Sequence, residues 1–349
     1  MSHATNTAKC ISKLGEAFRM ALQGVRQDEN ARALSDEMAS ARLYNPWFIP
    51  EFVRLSYESW AHALEEEKIA KWLSAYSSAF TGRSRPLEIA VVMAGNIPLV
   101  GLHDLLCVLA SGHRAIVKPS SHDNRLIPAV IRIIGRICPE LEGRIKFQED
   151  ILKGFDAVIA TGSNNTSRYF GYYFGKYPNI IRQNRNSVAI ITGNETHEER
   201  EGLARDILSY FGLGCRNVSK IYIPKGYDLA RLDDGMQGYA FMSDHSKYRN
   251  NYDYQKSIFI INGIPHTDNG FLLFREHTAV ISPVSVVHYE EYSDRGDLNA
   301  ELSGMASSLQ CIISSGEGFR NAIQAGRGQF PELWDYADGI DTMQFLTGL

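Results

Sequence analysis

At 349 residues, with 44% hydrophobic and 22% charged residues, the chain can bury two packed cores, and neither disorder nor a fibrous repeat is compatible with that composition. A net charge of −4 offers no attraction to a polyanion, so nucleic acid is excluded as an expected partner. Residues 1–13 lack the basic start and apolar core of a signal peptide, and no apolar run reaches the length of a membrane span, so a cytoplasmic location is expected.

In chain order, residues 9–81 carry apolar side chains at spacings of three and four, which predicts an all-helical segment. The run Asn45-Pro46-Trp47-Phe48-Ile49-Pro50 interrupts it, because each proline restricts its predecessor to extended geometry. It is read as a loop with exposed aromatics. Beyond Gly82, short apolar runs at 87–94, 115–118, 145–148, 156–160 and 187–192 predict strands, and the stretches 98–111, 123–137 and 164–175 between them predict helices. This alternation implies right-handed crossovers and an open parallel sheet, whose ligands bind at the carboxyl ends of the strands. A helix over 196–211 leads through Gly212 and Gly214 to Cys215 and a further strand from Val218. Residues 250–261, 270–274 and 279–289 are read as strand material.

Five cysteines, at 10, 107, 138, 215 and 311, include no C-x-x-C pair, so neither a disulfide framework nor a zinc finger is indicated. No two histidines lie closer than nine residues, and no structural metal is expected. Cys215 stands out because Gly212 and Gly214 leave its sulfur open to a ligand. It is a candidate nucleophile, or else a structural thiol. It follows a helix C-terminus, whose dipole disfavours a thiolate, so activation has to come from elsewhere. Asn96, after the first strand, is a candidate oxyanion donor or simply a turn asparagine before Pro98. Lys118, at the end of the next strand, suits a ribose hydroxyl or phosphate, with a solvated charge as the alternative. The Gly162-Ser163 turn before a helix suits a pyrophosphate. Neither G-x-G-x-x-G nor a P-loop is present.

In this order, Gly95-Asn96-Ile97-Pro98, Val117-Lys118-Pro119-Ser120, Thr161-Gly162-Ser163 with Arg168, and Cys215 resemble four elements of the aldehyde-dehydrogenase superfamily. Those elements are its oxyanion asparagine, adenosine-ribose lysine, pyrophosphate-side turn and nucleophile. The segments 163–170, 212–220 and 334–339 are similar to the acyl-CoA reductase branch, typified by the reductase component of bacterial luminescence fatty-acid reductase complexes. The resemblance runs from residue 45 through nearly all of the remaining chain.

It implies an α/β, aldehyde-dehydrogenase-like fold of two α/β domains with parallel sheets and an N-terminal helical segment. The divisions expected are 1–81 for that segment, 82–187 for a Rossmann-like cofactor domain, 188–315 for the catalytic domain and 316–349 for a C-terminal segment. It also implies that Cys215 takes an acyl group from acyl-CoA or an acyl-carrier protein, and that hydride transfer yields an aldehyde. Asn96 would hold the oxyanions, and Lys118, Ser120, Ser121, Gly162, Ser163 and Arg168 the cofactor. Ser121 stands where the superfamily usually has a ribose-binding glutamate, which leaves room for a 2′-phosphate and favours NADPH over NADH.

Two positions depart from the superfamily pattern. Arg182 occupies the place of the general-base glutamate that hydrolyses the acyl-enzyme, although Glu195 permits another alignment. Ala279 stands where a nicotinamide-ribose glutamate precedes a Phe-Gly-Pro turn, matched here by Val280-Ile281-Ser282-Pro283. Loss of the base favours reduction. Two other readings remain open: NAD(P)-dependent aldehyde oxidation, and a non-catalytic acyl-carrier docking protein using the aromatics near Trp47 and at 334–345. The expected assembly is a homo-oligomer or a subunit of an acyl-processing complex.

Overall fold

A computed structural model describes residues 3–80, 85–148, 150–162 and 164–349. The chain forms two compact units, Met1–Asn184 with Phe330–Leu349, and Arg185–Gln329. Both are α/β with predominantly parallel sheets.

The first unit begins with helices α1 (His3–Leu22), α2 (Glu29–Tyr44), α3 (Pro50–Ala63) and α4 (Glu66–Ser74). Asp28 starts α2 by accepting the Ala31 N–H at 2.8 Å, and Pro50 opens α3 where no N–H partner is needed. The loop between them is not an exposed aromatic display, since Phe48 is only 2% exposed. Asn45 turns the chain inward: its Oδ1 accepts the Trp47 N–H at 3.0 Å and its Nδ2 donates to the His122 carbonyl at 3.0 Å.

There follow β1 (Glu88–Val92), α5 (Leu102–Ala110), β2 (Arg114–Lys118), α6 (Leu126–Ile137), the single turn α7 (Pro139–Glu142), β3 (Ile145–Phe147), β4 (Ala157–Thr161), α8 (Asn164–Phe174) and β5 (Asn179–Arg182). The strands are parallel in the order β3-β2-β1-β4-β5. The order reverses between β1 and β4, which makes their carboxyl ends the topological switch point. The four-residue β5 is too short to form a periodic run. One apolar core includes Phe18, Leu64 and Trp72 from the N-terminal helices, Leu105 and Val117 from the sheet layer, and Leu333, Met343 and Leu346 from the chain's end. The segments 1–81 and 316–349 are therefore not separate bodies where they contribute to this core. A disulfide joins Cys10 on α1 to Cys138 after α6; no pattern within either local sequence announces a bridge between residues 128 positions apart.

The second unit comprises β6 (Asn186–Ile190), α9 (His197–Leu208), β7 (Val218–Pro224), the short α10 (Asp233–Met236), α11 (Ser246–Ile261), β8 (Thr267–Asp268), β9 (Leu273–Glu276), β10 (Val286–Tyr292), α12 (Arg295–Gly304), β11 (Leu309–Ser314) and β12 (Ala322–Ile323). The chain then returns to the first unit, where α13 (Thr342–Thr347) closes it. Strand order is β12-β11-β6-β7-β10-β9-β8, parallel except for β8 against β9. Residues 250–261, read as strand, belong to α11, whose buried Tyr248, Tyr252 and Phe259 share a helical face at spacings of four and seven. Residues 279–285, also read as strand, form a loop leading into β10. No helix among the described residues is long and apolar enough to cross a membrane.

Candidate active site

Cys215 sits on a tight turn at the amino end of β7. The Asn217 N–H donates to the Gly214 carbonyl at 3.0 Å, leaving Cys215 and Arg216 as the central residues of the turn, with Cys215 half-buried. Three successive residues before it, Tyr210, Phe211 and Gly212, have φ of 54°, 58° and 74°. Only the glycine adopts that conformation without steric cost, so the aromatic pair stores strain of about 1–3 kcal/mol per residue. Packing sustains it: both rings are buried, and that of Phe211 lies 4.4 Å from His245 and 5.5 Å from Tyr248.

Asn217 locks the turn. Its Oδ1 accepts the Gly214 N–H at 2.8 Å, while its Nδ2 donates to the carbonyls of Asp206 (3.1 Å), Ile207 (3.3 Å) and Ser209 (2.8 Å). The C-terminal carbonyls of α9, the source of the unfavourable dipole, are thus partly neutralised by hydrogen bonding. From β6, the buried Ser187 Oγ donates to the Cys215 carbonyl at 3.0 Å and accepts the Cys311 N–H at 3.2 Å. Neither Asn217 nor Ser187 carries a motif that would single it out in sequence. Behind the turn, burial pushes the Asp206 carboxyl up to about 7, although the Gly326 N–H donates to it at 2.7 Å.

In the first unit, the ends of β1 and β2 meet at Gly95. A Cβ there would lie 2.6 Å from Ser120 Oγ, so only glycine permits the approach. Asn96 follows on a half-buried turn. That turn is fixed at Leu99 (φ 59°), whose N–H donates to Asp123 Oδ2 at 3.0 Å, and at Pro98, whose carbonyl accepts Ser56 Oγ at 3.0 Å. Burial raises the Asp123 carboxyl to about 6, against the lowering effect of the backbone N–H groups that bond it.

Lys118 Nζ donates to the Asp150 carbonyl at 2.7 Å and lines a depression of about 570 Å³ with Gln148, Asp150, Ile151 and Lys153. Ser120 is partly committed, its Oγ accepting the His122 N–H at 3.2 Å, and Ser121 is exposed. Gly162 ends β4 against α8, where a Cβ would come within 2.9 Å of Thr166. Arg168 is exposed on α8, and Ser163 lies outside the described residues.

Neither glutamate alignment yields a base. Arg182 is buried in the first unit, paired with Asp104 at 2.6 Å. Glu195 binds the Thr192 hydroxyl and the Gly193 N–H at the carboxyl end of β6, whereas Cys215 precedes the amino end of the adjoining parallel β7. Strand rise puts roughly 15 Å between these two ends. Among the described residues one group of potential metal ligands converges, Cys10, Cys138 and Glu140, and its two cysteines are already bonded to each other.

No family model matches this sequence, and neither does any curated protein. Solved structures do. The chain is similar to an E. coli NADP-dependent enzyme with TM-score 0.60 and 12% identity, covering 94% of this chain and 76% of that one. It is similar to the NAD+ complex of Bacillus cereus aldehyde dehydrogenase with TM-score 0.59 and 14% identity, covering 92% and 73%. A Pseudomonas syringae aldehyde dehydrogenase C mutant, solved with NAD+ and octanal, gives TM-score 0.59 and 13% identity over 91% and 73%. The fold is that of the aldehyde dehydrogenases. Identity this low shows the aldehyde-dehydrogenase architecture and leaves each residue's role to be argued from its own contacts.

Proposed function

We propose that this protein reduces an acyl-CoA or acyl-carrier thioester to an aldehyde through an acyl-enzyme on Cys215, with NADPH as reductant. The observation that carries the reading is the Cys215 turn itself, a strained and side-chain-locked loop presenting a half-buried thiol, with neither glutamate alignment supplying a base to hydrolyse its acyl group. The Cys215 sulfur attacks the thioester carbon, the donor thiol departs, and the acyl group stays on sulfur. Asn96 donates to the oxyanion, and losing one such donor typically costs about 3 kcal/mol of transition-state stabilisation.

The depression at the carboxyl ends of β2 and β3, which Asp150 also lines, is assigned to a phosphorylated dinucleotide. Lys118 and Lys153 supply cationic donors in one depression, and Ser121 puts no carboxylate at the next turn. Lys118, Ser120, Ser121, Gly162, Ser163 and Arg168 are assigned to hold NADPH, which when bound supplies the hydride that releases the acyl group as aldehyde. A cytoplasmic homo-oligomer, or a subunit receiving acyl groups within a larger complex, fits this chemistry.

The test is to mix the protein with acyl-CoA, first alone and then with NADPH. A hydroxylamine-sensitive adduct on Cys215 and free CoA are expected alone, and aldehyde on adding NADPH, all lost in Cys215→Ser. Full activity in Cys215→Ser overturns the reading. Acid formation from aldehyde, NADP+ and water, abolished by Glu195→Gln, would instead establish aldehyde oxidation with Glu195 as base.

A further inference from the structure

In the first unit, a carboxylate lies against the disulfide between Cys10 and Cys138. Glu140 Oε1 is 3.2 Å from Cys138 Sγ and 4.0 Å from Cys10 Sγ, and Asn6 Nδ2 donates to the same oxygen. A bonded sulfur carries no proton, so the carboxylate gains no hydrogen bond from either cysteine while the bridge is closed. Its placement suits what the pair becomes on reduction, two thiols that donate to it or two thiolates that share a cation with it.

Local sequence fixes two of the three groups. Cys138 closes α6, its N–H donating to the Ile134 carbonyl at 2.9 Å, and it also precedes α7. Pro139 restricts it to extended geometry, φ −141° and ψ 79°, and the turn that follows brings Glu140 back beside its sulfur. Cys10 arrives on α1 from 128 positions away, with the two Cα atoms 5.8 Å apart.

The two sulfurs and a Glu140 carboxylate oxygen all lie within 4.8 Å of one another. A tetrahedral zinc ion, with Zn–S of about 2.3 Å, sets its two sulfurs ~3.8 Å apart, which rotation of the cysteine side chains provides. Both cysteines are buried and Glu140 is exposed, so the carboxylate side of the cluster opens to solvent. Helix α1 does not depend on the bridge for its position. Ile11, Leu14, Ala17 and Phe18 are buried in the core of the first unit and hold the helix whether the sulfurs are joined or free.

We propose that Cys10, Cys138 and Glu140 form a redox-gated zinc site, closed as a disulfide in the oxidised chain and opened when a dithiol reductant breaks the bond. The reductant delivers two electrons and two protons, the S–S bond becomes two thiols, and the reductant leaves as its own disulfide. Zinc then displaces the two thiol protons to solvent and binds two thiolates and the Glu140 carboxylate, with water as the fourth ligand. Two of the ligands come from segments far apart in the chain, so no C-x-x-C or paired-histidine spacing marks the site. The inference is independent of the chemistry proposed at Cys215.

The test uses the full chain carrying Cys215→Ser, so that the half-buried thiol does not compete for metal. The chain is reduced with dithiothreitol, freed of it without air and mixed with zinc chloride, and bound zinc is counted after gel filtration. Cobalt(II) in place of zinc reports sulfur ligation through its thiolate-to-metal charge-transfer absorption. One zinc per reduced chain is expected, none on the chain with its bridge intact, and neither zinc nor the cobalt band in Cys10→Ser or Cys138→Ser. Glu140→Gln alters an exposed side chain and keeps the test decisive if the cysteine variants fail to fold. Its Kd for zinc is expected to rise about tenfold or more. Equal zinc on oxidised and reduced chains overturns the inference, as does full zinc binding in the cysteine variants or an unchanged Kd in Glu140→Gln. A bridge that dithiothreitol leaves intact in the folded chain is a permanent cross-link and overturns it as well.

Discussion

Arg182 and Asp104 form a two-pronged buried ion pair, Nη2 to Oδ1 at 2.6 Å and Nε to Oδ2 at 3.3 Å. Arg182 also donates to Thr342 Oγ1 at 2.8 Å and to the Ala337 carbonyl, so it ties the chain's last segment to α5 and β5. Arg182→Met leaves the Asp104 carboxylate buried without its partner and is expected to cost about 3–5 kcal/mol in urea unfolding. The double change Arg182→Met with Asp104→Leu should recover much of that loss. Arg182→Glu should destabilise the chain through like charge against Asp104, and under the proposed function it should produce no hydrolysis of an acyl group on Cys215.

Asn217→Ala is expected to destabilise the protein by about 2–4 kcal/mol, because the Gly214 N–H and the α9 carbonyls lose a buried partner. It should also slow the modification of Cys215 by iodoacetamide, since the turn loses its lock. Asn217→Asp keeps the shape but sets an acceptor against three carbonyls, and should be at least as disruptive. Unfolding midpoints together with alkylation rates check both outcomes.

The Asp206 carboxyl titrates in the folded chain at about 7, against an ordinary 3.8 when unfolded, because burial disfavours its charge. Between those values the folded state holds the extra proton, so this group's contribution to stability falls as pH rises from about 4 to 7 and is flat above. Asp123, raised to about 6, acts in the same direction over a narrower span. Asp206→Asn should remove the upper part of the slope and gain relative stability at pH 8 over pH 5. Urea midpoints measured from pH 4.5 to 8 give the comparison, and the same slope in the mutant would contradict this assignment.

Ser121→Glu places a carboxylate beside the Lys118 strand end, where it would repel a 2′-phosphate and accept from a ribose hydroxyl. The ratio of kcat/KM for NADPH to that for NADH is expected to fall by about tenfold or more, the scale of a single opposed charge contact worth ~1.4 kcal/mol. Steady-state kinetics with both cofactors provide the check.

Much of the alternation was readable from local pattern. Apolar runs of four to eight residues locate β1, β2, β3, β4 and β6, and helical spacing locates α5, α6, α8 and α9. Elsewhere local pattern is ambiguous. Residues 250–261 hold enough tyrosine, phenylalanine and isoleucine to resemble a strand, and only packing on one face shows them to be a helix. The prolines flanking Phe48 predict an exposed loop, yet the bond from Asn45 to His122 turns Phe48 inward.

What the sequence determines by itself is the order of the chemical pieces: an asparagine, a lysine and a glycine turn after successive strands, then a cysteine between a helix and a strand. Those follow from periodicity and local backbone preference, which act over a few residues. Only the tertiary structure decided that Asn217 covers the helix end behind Cys215, that Arg182 pairs with Asp104, and that Glu195 stands at the far end of the strand pair from Cys215. Each of these depends on contacts or strand direction established when distant segments pack, and no short-range pattern encodes which polar groups will meet there.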